Sequence, residues 1–427
     1  MPGSELHCPS YYAATTNQTV AFPVLQGDVR VDVCVVGGGF TGVATALTLA
    51  ERGYKVAVVE QNCIGWGASG RNGGQMIGGI GGGEAAILKH YGEGIAKDLF
   101  QMGYRGHEII EQRIKRYNID CDLKYGYMDV AFKNRHLQTL DEWQAELNDY
   151  GMADHLRRIS SHEMREVLGT DAYKGGLINN RNGHLHPLNL CLGEARAAAE
   201  LGVQFFENSH VTGITHGDKP QVISDQGKVT ADFVVLAGNA YTQLENKTLS
   251  GKVFPAGTYI IATEPLTDRE VADINPLDMA ICDMNEVLNY YRLSADRRML
   301  FGGRCNYSGR VPTNIKDSIF PRMTKIFPQL ANKRIDYQWG GNIGIVLNRV
   351  PMLGRSSKNV FYSIGYSGHG VNMTHLAGEI MADAVSGTFE RMDIFANIKH
   401  QKIPLGRKFG SNMVALGMLY YKMRDLL

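Results

Sequence analysis

Three glycines and one carboxylate carry the clearest chemistry in the sequence. Gly37, Gly39 and Gly42 form a G-x-G-x-x-G pattern directly after an apolar run, and Glu60 closes the next apolar run. In this pattern the first glycine allows a tight turn, the second lets a pyrophosphate approach the backbone, and the third lets a helix pack close to a strand. An acid in the position of Glu60 can accept both hydroxyls of an adenosine ribose. The residues predict a dinucleotide site; a glycine-rich turn in an ordinary α/β protein is the alternative.

The elements that must position these groups are legible in residues 31–60. An apolar strand precedes the glycines, an apolar segment with helical spacing follows them, and a second strand, 56–59, ends at Glu60. The first N–H groups of such a helix face the phosphates. A second unit of this kind begins with a strand at 361–365 and continues into a helix from about Thr374. Two units so far apart predict a nucleotide domain assembled from separate segments.

Composition excludes several classes of protein. The chain has 427 residues, a hydrophobic content of 44% and a net charge of +1, so nothing favours nucleic acid as a partner. Seven cysteines lack C-x-x-C spacing, which argues against a disulfide framework or a zinc site and indicates a cytoplasmic protein. The sequence shows neither a signal peptide nor a transmembrane segment.

A glycine-rich stretch at 67–75 follows the second strand and predicts backbone lying against a ligand. Arg71 and Asn72 are expected to contact that ligand, and Gln75 is a weaker candidate; a surface loop is the alternative. Ser69 is equally well explained as a ligand contact or as a helix N-cap.

Three motifs together resemble a known family. Gly-Gly-Gly-Phe-Thr-Gly at 37–42, Gly-Ala-Ser-Gly-Arg-Asn-Gly-Gly-Gln at 67–75 and Gly-Tyr-Ser-Gly-His-Gly at 365–370 are similar to those of the FAD-dependent D-amino-acid oxidase/sarcosine oxidase superfamily. The resemblance implies non-covalent FAD and C–H oxidation next to an amine nitrogen. The residues that it and the motifs predict to bind FAD are Gly37, Gly39, Phe40, Thr41, Gly42, Glu60, Gln61, Gly67, Ala68, Ser69, Arg71, Asn72, Gly73, Gly74, Gln75, Ala237, Gly238, Gly341, Gly368, His369, Gly370 and Val371.

The predicted fold is α/β (α+β overall), with a Rossmann-like FAD-binding domain and a substrate domain built on a large, mainly antiparallel sheet with helices. The predicted division is an N-terminal arm, 1–30, anchored by Tyr11 and Tyr12; a discontinuous FAD domain, 31–83, 184–250 and 340–395; a substrate domain, 84–183 and 251–339; and a C-terminal extension, 396–427. Residues 413–427 are expected to form a helix that faces the core or another subunit, with a membrane surface as the alternative.

The sequence departs from the family at two positions that bind a substrate carboxylate. In relatives that oxidise amino acids an arginine lies in the segment equivalent to 339–344, where this chain has Ile343. In sarcosine-oxidising relatives a lysine follows Gly-His-Gly, where this chain has Asn372. Arginine is a strong, geometry-specific anchor for carboxylates. The absence of both cations predicts an amine substrate without an α-carboxylate.

The expected reaction is hydride transfer from the carbon next to nitrogen to flavin N5, giving an imine that hydrolyses to an aldehyde. Oxygen or another electron acceptor then reoxidises the flavin, and the sequence leaves oxidase and dehydrogenase activity open, as it does the oligomeric state. A secondary-amine, N-methyl amino-acid or D-amino-acid enzyme and a non-catalytic FAD-binding subunit are the alternatives.

His369, Tyr291 and Arg292 are the catalytic candidates. His369 precedes a predicted helix, and we expect it against the flavin, where it would help to hold negative charge on the reduced ring; a structural turn histidine is the alternative. Tyr290, Tyr291 and Arg292 end a predicted strand, where aromatic faces attract an amine and sheet packing is equally plausible. His184 and His186 form H-x-H, which packing explains better than a metal does.

Overall fold

The computed structural model describes residues 6–402, apart from 19, 243, 245, 286 and 307–313. The expected C-terminal helix at 413–427 lies outside these residues. The helices are Tyr11–Ala14, Phe40–Glu51, Glu84–Tyr91, Ala96–Tyr117, Asn134–Asp149, Met164–Leu168, Pro187–Glu200, Asn246–Leu249, Asp268–Ile274, Ile315–Ile326, Gly370–Val385 and Glu390–Ala396, with short 3-10 turns at Ala68–Gly70, Glu93–Ile95, Ala153–His155, Asn239–Tyr241 and Pro328–Leu330. In the part of the chain so described, no helix is long and apolar enough to cross a membrane.

A six-stranded sheet carries the glycine turn, and we call it the nucleotide sheet. Its strands, in spatial order, are Gln204–Phe206, Val56–Val59, Val33–Val36, Phe233–Leu236, Val360–Ile364 and Met352–Ser357. All neighbouring pairs are parallel except the last, which is antiparallel. The carboxyl ends of the parallel strands therefore meet at one edge, where ligands bind in folds of this type. Residues 37, 60, 237 and 365 directly follow four of these ends.

An eight-stranded sheet forms the second large layer, and we call it the substrate sheet. Its strands, in spatial order, are Ile335–Ile345, Phe254–Thr263, Met299–Asn306, Asn289–Leu293, Ala280–Asp283, Tyr127–Ala131, Gly175–Asn179 and Leu156–Ser160. Every neighbouring pair is antiparallel except Ala280–Asp283 with Tyr127–Ala131. The predicted fold class, with a Rossmann-like layer and a large, mainly antiparallel sheet, is therefore confirmed.

Two smaller sheets complete the fold. One contains the strands Gly27–Arg30, Gly227–Thr230, Gln221–Ser224 and Val211–Thr215; the other contains Gln75–Met76, Gly183–His184 and Lys124–Tyr125. The apolar run 229–236 does not form a single strand, because the chain leaves the first small sheet at Thr230 and enters the nucleotide sheet at Phe233. Both halves are apolar, so hydrophobicity alone conceals the crossing.

The N-terminal arm is anchored as its aromatic residues predict. Tyr11 and Tyr12 begin a short helix capped by Ser10, and both rings belong to the core that also contains the central nucleotide strands. Tyr12 packs edge-on against His186 and Trp339, with ring centroids 4.9 and 5.3 Å away. The arm thus reaches both large layers.

The domain boundaries predicted from the sequence remain a proposal. The strand Ile335–Ile345 is continuous through the expected boundary between 339 and 340, so a boundary in this region would follow Ile345. The helix Ala96–Tyr117, from the segment assigned to the substrate domain, contributes Leu99 and Ile110 to the core shared with the nucleotide sheet.

Candidate active site

A cavity of about 1580 Å³ is lined by residues from both large sheets. Its wall includes the edge of the nucleotide sheet at Gly37, Glu60 and Ala237, and the face of the substrate sheet at Tyr290 and Asp129. The volume suits a cofactor together with a small molecule, because pockets for drug-sized ligands measure roughly 300–1,000 Å³.

The glycine turn has the shape that its spacing predicts. Gly37 has φ +113°, a conformation open to glycine, and a Cβ there would meet the backbone of Ala237 at 2.9 Å. A Cβ on Gly42 would lie 1.9 Å from the carbonyl oxygen of Gly37, so this glycine lets the helix Phe40–Glu51 pack onto the turn. Within the described residues, the N–H groups of Gly39 and Thr41 have no hydrogen-bond partner. These donors fit an anion at the helix N-terminus.

Glu60 organises the turn as well as facing the cavity. Its Oε2 accepts a hydrogen bond from the N–H of Gly38 at 2.6 Å, and its Oε1 accepts one from Asn62 at 2.9 Å. Burial raises the pKa of Glu60, and the nearby Glu207 raises it further, while backbone N–H groups of Asn62, Gly38 and Gln61 lower it. Each oxygen keeps a lone pair for a ligand hydroxyl. Ribose binding by Glu60 remains a prediction.

Side chains within 67–75 hold the loop in place more than they project from it. The Ser69 hydroxyl accepts a hydrogen bond from the N–H of Phe40 at 2.8 Å, so Ser69 caps the helix Phe40–Glu51 from outside that helix. Arg71 donates to the carbonyl of Trp66 at 2.7 Å and lies 4.2 Å over the Trp66 ring. Asn72 donates to Ala68 and Ser69 and accepts from Gly74. The ligand therefore meets mainly a braced backbone.

Most of the predicted cofactor residues surround the cavity. Those that line it are Gly37, Gly39, Phe40, Thr41, Glu60, Gln61, Gly67, Ala68, Ser69, Arg71, Asn72, Gly73, Gln75, Ala237, Gly238, Gly341, Gly368, His369, Gly370 and Val371. Gly42 and Gly74 are not among the lining residues. Gly74 instead makes a close contact behind the wall, since a Cβ there would lie 2.2 Å from the carbonyl oxygen of Leu185.

Of the aromatic pair expected either to line an amine pocket or to pack in the sheet, Tyr290 lines the cavity, whereas the catalytic candidates Tyr291 and Arg292 are not among its lining residues. Successive strand residues point to opposite faces of a sheet, and of this group it is Tyr290 that lines the cavity. Tyr291 is buried in the core behind the substrate sheet, where its hydroxyl donates to that of Tyr173 at 3.0 Å and its ring stacks on Phe301.

Arg292 is buried behind the cavity wall and supports it. Its Nε donates to the carbonyl of Gly73 at 2.8 Å, and its Nη2 donates to the carbonyl of Leu185 at 2.8 Å and to the hydroxyl of Tyr12 at 3.2 Å. Its Nη1 donates to the carbonyl of Leu293. The guanidinium is thus committed to the glycine-rich loop, the arm and the substrate sheet, and is not positioned to bind a substrate carboxylate.

His369 lies in the cavity wall directly before the helix Gly370–Val385. The predicted helix start near Thr374 is therefore one turn late. The Nε2 of His369 donates to the carbonyl of Gly78 at 3.0 Å, and burial lowers the pKa of its imidazole. The side chain is therefore a neutral donor to protein backbone, and a role in holding charge on the flavin remains a prediction.

The two substituted carboxylate positions both face the cavity. Ile343 and Asn372 line it. Asn372 is committed to other groups, because its Nδ2 donates to the carbonyl of Gly103 at 2.6 Å and its Oδ1 lies 2.8 Å from His107 Nδ1. Burial lowers the pKa of His107 to about 4, so this histidine does not supply the positive charge of the missing lysine.

His184 and His186 serve the packing that the sequence favours. His184 is buried, with Nε2 2.8 Å from the carbonyl oxygen of Asp278. His186 caps the helix Pro187–Glu200 by accepting from the N–H of Asn189 at 3.1 Å. Burial lowers the pKa of each imidazole to about 3.

Sequence reasoning missed the part of the cavity formed by the strand Tyr127–Ala131 and the helix Ala96–Tyr117. Tyr127 and Asp129 on the strand and Tyr104 on the helix all line it. The Tyr127 hydroxyl donates to Asp129 Oδ1 at 2.9 Å, and Asn179 donates to the Tyr104 hydroxyl at 3.1 Å. A single carboxylate, Asp129, in an otherwise apolar strand is the sequence signal that marks this position.

Comparison with known proteins agrees with this geometry. A profile of the family described as FAD dependent oxidoreductase matches residues 32–384. Gamma-glutamylputrescine oxidoreductase of Escherichia coli (strain K12) is 42% identical over 424 residues, covering 99% of each chain. Probable oxidoreductase OrdL of Haemophilus influenzae is 39% identical over 424 residues, covering 98% of this chain and 97% of the relative. Glycine oxidase from Geobacillus kaustophilus shares the fold, with a TM-score of 0.71 at 20% identity over 84% of this chain and 95% of that one.

The chain belongs to the FAD dependent oxidoreductase family, and its predicted cofactor class and enzymatic nature are confirmed. The cavity fits FAD, because the glycine cradle at 37–42 admits no side chain at Gly37 or Gly42 and presents free N–H groups to a pyrophosphate. FAD supplies the capacity to accept a hydride, and the protein supplies binding, orientation and electrostatics.

Proposed function

We propose that this enzyme oxidises an amine at the carbon next to nitrogen, with gamma-glutamylputrescine as the leading candidate. A hydride would pass to N5 of FAD, and the resulting imine would hydrolyse to an aldehyde. The 42% identity to a gamma-glutamylputrescine oxidoreductase supports this choice of substrate. The electron acceptor, oxygen or another, and a cytoplasmic location stay predictions.

The observation that carries the proposal is the distribution of cations around the cavity. Among the described lining residues, the Arg and Lys side chains are Arg71, Arg135 and Arg349. Arg71 is engaged by Trp66, Arg135 lies exposed at the start of the helix Asn134–Asp149, and the stem of Arg349 packs beside Gly82. Ile343 and Asn372 supply no charge. Among the described residues, a carboxylate beside Ile343 and Asn372 would therefore be desolvated without a partner, whereas one at the far end of a longer substrate would have Arg349 within the same cavity.

Anaerobic stopped-flow reduction with matched substrates tests the proposal. Each amine is paired with its α-carboxylated analogue, and gamma-glutamylputrescine is compared with glycine, sarcosine and D-alanine. An unpaired buried charge costs several kcal/mol, so we expect the α-carboxylated member to be less efficient by a factor on the order of a hundred. Equal or faster flavin reduction by the α-carboxylated member would refute the proposal, and the absence of bleaching by every amine would favour a non-catalytic subunit.

Substitution at Ile343 provides a matched control. Ile343→Arg restores a cation on the cavity wall, whereas Ile343→Leu changes only shape. We expect the arginine variant to narrow the difference in flavin-reduction efficiency between the two members of each substrate pair, and the leucine variant to preserve it. Both variants must retain FAD, which their absorbance would show. An arginine variant that retains FAD and leaves the difference unchanged would show that this position does not face the substrate carboxylate.

A further inference from the structure

Asp129 is a carboxylate in the cavity wall for which the described residues provide no counter-ion. Its one hydrogen bond within the described residues comes from the hydroxyl of Tyr127, at 2.9 Å to Oδ1. No described Lys, Arg or His forms an ion pair with it. Burial raises the pKa of Asp129 to about 7, opposed only by the Tyr127 hydrogen bond. A carboxylate held this way is stabilised when a cationic ligand arrives.

A second carboxylate in the cavity wall, Asp283, has a structural role. Asp283 also lines the cavity, but it accepts hydrogen bonds from the N–H of Asn285 and from the side chain of Asn289. Asn289 is in turn held by Arg322. Asp283 thus shapes the turn that follows its strand, whereas Asp129 has no comparable task.

Asp129 lies in a row of residues that crosses the substrate sheet toward the glycine-rich loop. Asp129 pairs with Cys282 on the next strand, and Cys282 pairs with Tyr290 on the one after. All three line the cavity. The ring of Tyr290 lies against Gly73, where a Cβ would be 2.8 Å away. Since neighbouring strands are about 4.8 Å apart, Asp129 is about 10 Å along the sheet from the residue that touches the loop.

The surroundings of Asp129 favour an amine over a metal ion or a second carboxylate. Tyr127 and Tyr104 line the same part of the cavity, and aromatic faces attract ammonium groups. Among the described residues, no group of three or more His, Cys, Asp or Glu side chains is arranged to hold a metal.

We propose that Asp129 binds the amino group of the substrate as its ammonium ion and removes one proton from it. This inference rests on the proposed function and names the residue that recognises the reacting end of the substrate. An N–H bond of the ammonium breaks, an O–H bond forms on Asp129, and the nitrogen keeps the electron pair. The neutral amine then has the lone pair that oxidation at the adjacent C–H requires, for which bound FAD would supply the hydride acceptor.

The pH dependence of binding follows from the groups that face Asp129. These are Tyr127 on its own strand, Cys282 on the next strand and Tyr104 on the helix Ala96–Tyr117. Burial raises the pKa of all three above their ordinary values, so none of them titrates between pH 6 and 8. Asp283, which follows Cys282 in the cavity wall, has its pKa raised by burial to about 6 and is largely ionised above that pH. Asp129 therefore dominates the change in charge between pH 6 and 8, and affinity for an ammonium ligand should rise as it ionises.

The test measures binding apart from turnover. The probe is a gamma-glutamylputrescine analogue with two methyl groups on the amine-bearing carbon, which has no C–H to donate. Titration calorimetry on FAD-loaded protein at pH 6 and pH 8 gives its dissociation constant. With a pKa of about 7, the wild type should bind about tenfold more tightly at pH 8. We expect Asp129→Asn to bind at least tenfold more weakly than the wild type at pH 8 and to lose the pH dependence.

Two further variants make the result specific. Tyr127→Phe removes the hydrogen bond that lowers the pKa of Asp129, so the rise in affinity should move to higher pH. Asp141→Asn makes the same chemical change at an exposed site on the helix Asn134–Asp149 and should behave as wild type. Asp129→Asn with full FAD content and an unchanged affinity and slope would overturn the inference.

The two proposals fail in different ways. If wild-type flavin is bleached by another amine but not by gamma-glutamylputrescine, the proposed substrate is wrong, and Asp129→Asn is judged on the α,α-dimethyl analogue of that amine. If gamma-glutamylputrescine bleaches wild type and Asp129→Asn equally well from pH 6 to 8, the proposed function stands and the role of Asp129 is wrong. If no amine bleaches the flavin, both are wrong.

Discussion

Glu60 illustrates how a single side chain both builds a site and faces its ligand. Both of its oxygens accept backbone N–H groups, from Gly38 and Asn62. In Glu60→Gln the amide NH2 must meet one of these donors, so the turn loses a hydrogen bond as well as a charge. We expect FAD affinity to fall by roughly 1–3 kcal/mol, the scale of a hydrogen bond to a charged group. Titration of FAD-free protein with FAD, followed by flavin fluorescence, measures this.

Glu51→Gln is the control for that experiment. Glu51 ends the helix that begins at the glycine turn, and its partners are Arg116 and Tyr117, away from the cavity. FAD affinity should be unchanged in this variant. If a folded Glu60→Gln protein binds FAD as the wild type does, then Glu60 does not contact the cofactor.

At the scale of residues, the sequence shows which residues lie near the site better than it shows which way their side chains point. The strand Asn289–Leu293 is largely buried on both faces, so its polarity does not show which of Tyr290 and Tyr291 faces the cavity. The lack of a counter-ion for Asp129 in the described part of the chain is likewise invisible in the sequence, because the cavity brings together residues distant along the chain. By contrast, Gly37 and Gly42 are predictable because their contacts lie within one turn and the strand and helix that flank it.

Arg292 acts at the scale of elements. It joins the carbonyls of Gly73 and Leu185 to the strand Asn289–Leu293 and to the arm at Tyr12. A lysine cannot reach all of these acceptors. Arg292→Lys should therefore lower the free energy of unfolding by roughly 1–3 kcal/mol, the penalty for leaving a buried acceptor unpaired. Urea unfolding of FAD-loaded protein measures this loss.

Arg269→Lys serves as its control, because Arg269 is almost fully exposed on the helix Asp268–Ile274. Stability should be unchanged in that variant. Unaltered stability in Arg292→Lys together with weakened amine binding would return Arg292 to the substrate site.

The helices and strands that the sequence located well are those with strong local patterns. The unit Val33–Val36, Phe40–Glu51 and Val56–Val59 matches its prediction because the change from strand to helix spacing is abrupt. The segment 84–117 has helical apolar spacing throughout, but the structure divides it at Gly92, which has φ +82°. A positive φ at glycine ends a helix at little steric penalty, and apolar spacing continues across the break.

At the scale of the whole molecule, the cavity explains why FAD should be held without a covalent bond. Cys282 is the cysteine among the described lining residues, and burial raises the pKa of its thiol. Thiolate is the nucleophilic form, so this cysteine is a poor partner for the flavin. Acid precipitation should therefore release the FAD into the supernatant, in wild type and in Cys282→Ser alike. Yellow colour that stays in the wild-type pellet and leaves it in Cys282→Ser would show a covalent bond at this position.

The sequence predicts which glycine units share one sheet edge, but it does not predict how the helices pack between the two layers. Separate glycine units at 37–42 and 365–370 indicate one edge of one sheet, and the structure places Val33–Val36 and Val360–Ile364 on either side of Phe233–Leu236. The crossing of the helix Ala96–Tyr117 into the core beneath the nucleotide sheet leaves no local trace in its sequence. Contacts of this kind depend on which apolar faces meet after the strands have paired.

The setting of Asn372 bears on how substrate preference evolves in this fold. Asparagine and lysine codons differ by a single base, so the genetic step toward a carboxylate-binding lysine is short. The physical step is long, because Asn372 satisfies the carbonyl of Gly103 and meets His107, and its backbone closes against Gly106 so tightly that a Cβ there would lie 2.2 Å away. A lysine would abandon these partners and need new room. Under the proposed function, packing around one amide would thus separate amine from amino-acid chemistry more firmly than the genetic code does.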